Sequence, residues 1–223
     1  MSPIPLLSLA ETRVLGVLVE KELTVPDTYP LSLNALVAGC NQKTNRNPVI
    51  EARETEVQAA VDSLRTRALV IESSGARVAR YSHNIGRVLR VPSQSIALLA
   101  ALMLRGPQTA AELRTATERM HRFADVSSVE AFLEELAQRG DESGGSLVAK
   151  LARAPGEREA RWAHLLSGSV ELRQIEASAP ATPPDISLSE LETLRANQAR
   201  LFVEVADLRS KLERMAAELG IAL

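Results

Sequence analysis

LVIES, Leu69 to Ser73, then the turn SGA and RVARY, Arg77 to Tyr81, is the stretch that decides the fold. Two short β-prone runs about a glycine-containing turn read as a hairpin. What precedes it is helical. Ser8 and Glu11 have capping-box spacing, and Leu15, Leu18 and Val19 follow at helical intervals, which predicts a helix over about 9–22. After the turn-forming TVPDTYP, Ser32 is placed to cap a short helix over Leu33, Leu36 and Val37, ended by the polar loop NQKTNRNP. Val57, Val61, Leu64 and Ala68 then make one apolar face of a third helix over about 53–67. Three helices and a hairpin, in that order, predict a winged helix-turn-helix domain with the hairpin as its wing.

The same order recurs after Pro92. Ser95 to Leu104 reads as a first helix, Thr109 to Glu118 as a second with Thr109 and Glu112 at capping-box spacing, and Ser128 to Arg139 as a third. LVAKL and RWAHL supply another hairpin, with ARAPGEREA as a longer wing tip. The fold class expected is mainly α with small β-hairpins (α+β): one winged-helix domain over residues 1–92 and a second over 93–170.

Residues 171–186 contain the proline-rich ASAPATPP and read as a stiffened linker. Beyond it Leu191, Gln198, Val205, Leu212 and Leu219 repeat every seven residues, as do Leu194, Leu201, Leu208 and Met215. That seam predicts a coiled-coil helix over 187–220, with Gln198 its polar position. A helix of this length is marginal alone in water, so its stripe needs a partner. The partner expected is a second copy of the chain in a homodimer, the alternative being that the helix folds back on the second domain.

Composition narrows the function. The chain has 223 residues, 45% of them hydrophobic and only 3% aromatic, so Leu, Val and Ala must fill the cores and stacking platforms for bases are disfavoured. The single cysteine, Cys40, forms no intramolecular disulfide, in keeping with a reducing compartment. The opening MSPIPLLSLAETR lacks the pattern of a secretory signal. The longest apolar run, Ile96 to Leu104, has nine residues where a membrane helix needs about 20. A cytoplasmic protein without a membrane partner is expected. His83, His121 and His164 are scattered, and no nucleotide-binding or metal-hydrolase motif occurs, so neither enzyme activity, metal nor cofactor is expected.

With 26 Lys and Arg against 28 Asp and Glu, the net charge of −2 offers no global attraction to nucleic acid. The balance is uneven, at +2 over residues 1–92, −1 over 93–170 and −3 over 171–223. Carboxylates outnumber cations in both third helices, where a recognition helix usually presents donors: Glu51, Glu54, Glu56 and Asp62 against Arg53, Arg65 and Arg67 in the first and its lead-in, Glu130, Glu134 and Glu135 against Arg139 in the second. Against them stand Lys43, Arg46, Arg77 and Arg80 as candidate phosphate contacts, with Arg87 and Arg90 following the hairpin. The loop Asn41, Gln42, Lys43, Thr44, Asn45, Arg46 and Asn47 is the densest set of hydrogen-bonding side chains in the chain. It reads equally as a functional surface and as a turn bonded to itself.

The run ETRVLGVLVEKELTVPDTYPLSLNALVAGCNQKTNRNPV, Glu11 to Val49, closely resembles the YceH-like family of bacterial proteins. LMLRGPQTAAELR and LVAKLARAPGEREARWAHLL extend the resemblance to about residues 8–168, short of the heptad seam. It implies a tandem winged-helix fold and supplies no catalytic or ligand residues. The function expected first is a DNA-associated transcriptional regulator whose first domain grips phosphates on duplex DNA; the alternative is a protein-interaction scaffold that binds no DNA.

Overall fold

In the computed structural model the described residues are 6–73, 78–153 and 159–168. The chain divides into a compact unit of residues 1–174 and a second of residues 175–223, and every described residue belongs to the first. The proline-rich linker and the heptad seam lie outside the described residues, as do Arg77 and the tips of both hairpins.

The unit is mainly helical with two small antiparallel sheets. Helix α1 spans Leu9–Thr24, β1 Leu31–Ser32, α2 Leu33–Cys40, α3 Glu54–Thr66, β2 Val70–Ser73 and β3 Arg80–His83. Helix α4, Ile85–Leu89, leads to α5, Ser93–Arg105, followed by α6, Ala110–Thr117, α7, Val126–Ala137, β4, Val148–Lys150, and β5, Trp162–His164. The capping boxes at Ser8 and Thr109 form, and Ser32 Oγ accepts from the Ala35 amide to start α2.

Three details differ from expectation. The third helix of the second half begins at Val126, not Ser128, because Asp125 is its cap and accepts from the Ser128 amide at 2.8 Å. The first hairpin pairs Val70 with His83 and Ser73 with Arg80, so its connection is longer than the expected SGA and the second strand shifts toward the C-terminus. A short strand, β1, pairs with β3 through Leu31 and Tyr81, and its counterpart in the second half is the single bridge of Gln108 to Trp162. Both halves thus repeat the order helix, short extended residue, two helices, hairpin.

The halves share one contiguous hydrophobic cluster. Its centre is α1 against α5. Every residue from Glu11 to Val19 of α1 is buried, as is every residue from Ala97 to Leu104 of α5, so neither helix has a solvent face along its middle. They approach closely at Gly16, where a Cβ would lie 2.9 Å from Leu104 Cγ. On another side of α1 a Cβ at Gly39 of α2 would meet Val17 Cγ1 at 2.6 Å. Further ties cross the halves: the Leu7 amide donates to the Leu166 carbonyl at 2.7 Å, and Arg139, just past α7, donates to the carbonyl of Leu89 at the end of α4.

In an open helix, Gly→Ala stabilises by about 0.5–1 kcal/mol. At Gly16 the sign should reverse. Gly16→Ala is expected to destabilise by about 1–3 kcal/mol through overpacking against Leu104, read from urea unfolding; a gain in stability would contradict the close approach described above.

Candidate functional site

The polar loop after α2 is where the sequence concentrates donors and acceptors, and the structure divides its members into two sets. Asn41 clamps the loop's ends together, its Nδ2 donating to the Ala52 carbonyl at 2.9 Å and its Oδ1 accepting from the Ala52 amide at 2.8 Å. Asn45 takes a left-handed backbone conformation, φ 58°, which asparagine tolerates better than most residues. Gln42 turns inward and accepts from Arg46 at 2.7 Å.

Arg46 is the centre of this inward set, with a side-chain exposure of 0%. Its Nε donates to the Gly39 carbonyl, its Nη1 to Glu20 Oε1 and the Asn45 carbonyl, and its Nη2 to Glu20 Oε2 at 2.6 Å and to Gln42. All five N–H groups of the guanidinium are therefore used. Arg46 has no donor left for a phosphate, which corrects the expectation that it lies on a phosphate-facing surface. The cause is Glu20 of α1, 26 residues away, whose fork of oxygens matches the guanidinium. Burial alone would raise the Glu20 pKa, but the Arg46 hydrogen bond and charge, with Lys21 adding to them, hold it below its usual value.

A second arginine, Arg13 of α1, is also wholly buried and was not singled out by sequence reasoning. It donates to the carbonyls of Cys40 and Pro48, tying α1 to both flanks of the loop, while its Nε has no partner. Burial, then the nearby Arg46 charge, lowers its pKa. Nothing in the local sequence marks Arg13 as inward, because it sits in a helix buried all round. Cys40 is buried beside these arginines, and burial pushes its thiol up to about 11, so it is not a thiolate at neutral pH.

Lys43, Thr44, Asn45 and Asn47 form the outward set; all four are exposed and make no side-chain bond with any described residue, Asn45 lending only its backbone carbonyl to Arg46. Arg80 on β3 is exposed while donating to the Pro30 carbonyl at 2.8 Å, and Arg87 and Arg90 are exposed on and after α4. The exposed face of α3 carries Glu54, Glu56, Asp62 and Arg65, and that arginine is itself paired with Asp62 and Glu72. The exposed face of α7 carries Ser127, Glu130, Ala131, Glu134 and Glu135 and no cation.

His83 packs against Glu22, which opposes the lowering of its pKa by burial, while His121 meets Phe123 edge-on. Among the described residues no group of three His, Cys, Asp or Glu is placed to hold a metal ion, and no helix is long and apolar enough to cross a membrane.

A family model described as "Protein of unknown function, DUF480" matches residues 7–157, which include the Arg46 loop, both third helices and the first strand of the second hairpin. The chain belongs to the DUF480 family. It is 62% identical over 218 residues to a UPF0502 protein of Methylibium petroleiphilum, covering 97% of this chain and 91% of that one. A UPF0502 protein of Dechloromonas aromatica is 59% identical over 208 residues, with 93% and 95% covered. One of Leptothrix cholodnii is 56% identical over 215 residues, with 96% and 95% covered. These agree with the YceH-like resemblance read from the sequence.

Breaking the buried pair leaves a desolvated charge behind. Arg46→Ala should cost about 3–5 kcal/mol of stability, measured by chemical unfolding. A loss below about 1 kcal/mol would place the pair in the surface class. Because the folded Glu20 pKa is depressed, its contribution is present above the ordinary carboxylate value and is lost as pH falls through the folded one. Glu20→Gln should accordingly flatten the fall in melting temperature below about pH 4.5.

Proposed function

We propose that this protein is a non-enzymatic interaction scaffold made of two winged helix-turn-helix units, each presenting an acidic third helix to a basic protein partner. The observation that carries this reading is the agreement between the halves. The exposed faces of α3 and α7 are both rich in carboxylates, and the one cation in α3 is neutralised by its own neighbours. A helix entering the major groove would have to bring Glu54, Glu56 and Asp62, or Glu130, Glu134 and Glu135, toward phosphates and base edges, where arginine and amide donors are the usual readers. A basic surface meets these faces with complementary charge. Support for the winged-helix assignment comes from the repeated element order and from the short pairing before the second helix of each half.

Duplex DNA is the second reading, favoured by the exposed Lys43, Arg80, Arg87 and Arg90. With Arg46 withdrawn into the core, the phosphate-facing set is thinner than the sequence suggests. The heptad seam from Leu191 to Leu219 adds, in this proposal, a coiled coil that pairs two copies.

Affinity capture with the wild-type chain and with Glu130→Lys/Glu134→Lys should return basic proteins that the charge-reversed variant fails to hold. In parallel, a mobility shift at low salt should show no retardation of generic duplex DNA at tens of micromolar protein. Retardation abolished by Arg80→Glu would replace the scaffold with a DNA-binding protein. Sedimentation of the full chain and of one lacking residues 185–223 should give a dimer and a monomer, and equal mass would remove the coiled coil from assembly.

A further inference from the structure

Strand β2 lies at the edge of its sheet. The order is β1-β3-β2, so one side of β2 pairs with β3 and no described strand pairs with the other. Which residues face the open side follows from a single bond. The Asn84 amide donates to the Leu69 carbonyl at 2.8 Å while Val70 stands opposite His83, so Val70 and His83 exchange no hydrogen bonds with each other. Ile71 and Ser73 accordingly exchange theirs with Ser82 and Arg80. Val70 and Glu72 turn their N–H and C=O groups outward, and none of these four groups has a partner among the described residues.

Beside this strand runs a groove of about 650 Å³ lined by Asp62, Arg65 and Thr66 at the end of α3, by Ala68, and by Val70 and Ile71. Its charge is negative. Arg65 answers two carboxylates at once, Asp62 at 3.3 Å and Glu72 at 2.9 Å, and the carbonyl end of α3 adds to the negative side. Arg67, just past α3, is engaged elsewhere, by Glu11 and the Leu6 carbonyl. The strand itself alternates: Glu72 reaches α3 on one face of the sheet, while Ile71 on the other is 48% exposed.

We propose that the open edge of β2 takes up an extended basic segment of the partner protein as an added strand. The inference rests on the scaffold reading for the basic character of the partner, and adds how the first half holds it. An antiparallel strand bonded to Val70 and Glu72 sets the residues opposite them on the α3 side, toward Asp62 and Glu72, and the residue between them beside Ile71. The sequence that fits is therefore basic, apolar, basic in successive residues. Main-chain bonds supply affinity, and the alternating side chains supply selectivity.

The probe is a short, capped and fluorescently labelled peptide of alternating lysine and valine, titrated with the full chain at low ionic strength and followed by anisotropy. Hydrogen exchange of the β2 amides locates the contact, and a glutamate–valine peptide is the control. Saturable binding of the lysine–valine peptide is expected, with slowed exchange at Val70 and Glu72 and at least about tenfold weaker binding of the control. Glu72→Pro removes one outward donor at an edge position, where proline is tolerated, and Asp62→Lys reverses an exposed charge in the groove. Each should weaken binding at least about tenfold, and Asp62→Lys decides the matter if Glu72→Pro does not fold. No binding, binding that leaves Val70 and Glu72 unprotected, or equal binding by Asp62→Lys overturns the site. Protection without peptide that grows with protein concentration overturns it too, by giving the edge to a second copy. If α7 charge reversal abolishes capture of basic proteins while the peptide leaves β2 unprotected, this site falls and the scaffold stands.

Discussion

The structure depends on the close packing of α1 against α5 at Gly16. A helix buried along its whole circumference needs neighbours on every side, and α1 finds them in α2, α3 and α5 at once. Glycines at two of those approaches remove the side chain that would hold the backbones apart. Because α5 is the opening helix of the second half, the first element of each half becomes the wall against which the other is built. The hydrophobic cluster consequently runs through both halves without interruption.

The loop after α2 is fixed by the same geometry. Glu20 and Arg13 project from α1 toward it, one taking the Arg46 guanidinium and the other donating to carbonyls at Cys40 and Pro48. A segment of seven polar residues without regular structure would ordinarily be mobile; here it is nailed to a helix buried along its middle by charge-assisted bonds. Such pairs add little net stability relative to apolar packing but penalise every arrangement in which a partner is left alone. The loop's conformation is therefore specified more strongly than its composition suggests.

How far the sequence could be read follows from this. Helices α3 and α7 are amphipathic, so Val57, Val61 and Leu64, or Val129, Leu133 and Leu136, announce their buried faces by spacing alone. Helices α1 and α5 have no such stripe, and periodicity identified Leu15 and Leu18 while giving no reason to expect Arg13 or Thr12 inside. The short strand β1 and helix α4 escaped notice because two and five residues are too few to show a period. Within the loop, residue type could not separate Lys43, which faces solvent, from Arg46, which does not. That distinction lies with Glu20, and only the fold brings the two together.

The bond from the Leu7 amide to the Leu166 carbonyl has a consequence for the topology of the chain. It brings the beginning and the end of the described core side by side, so that the path through both halves is a closed circuit and not a line with two distant ends. A circuit of this kind has no privileged starting point. Its sequence could be reopened at a connection away from α1 and α5 and rejoined across the Leu7–Leu166 contact with the central helices undisturbed.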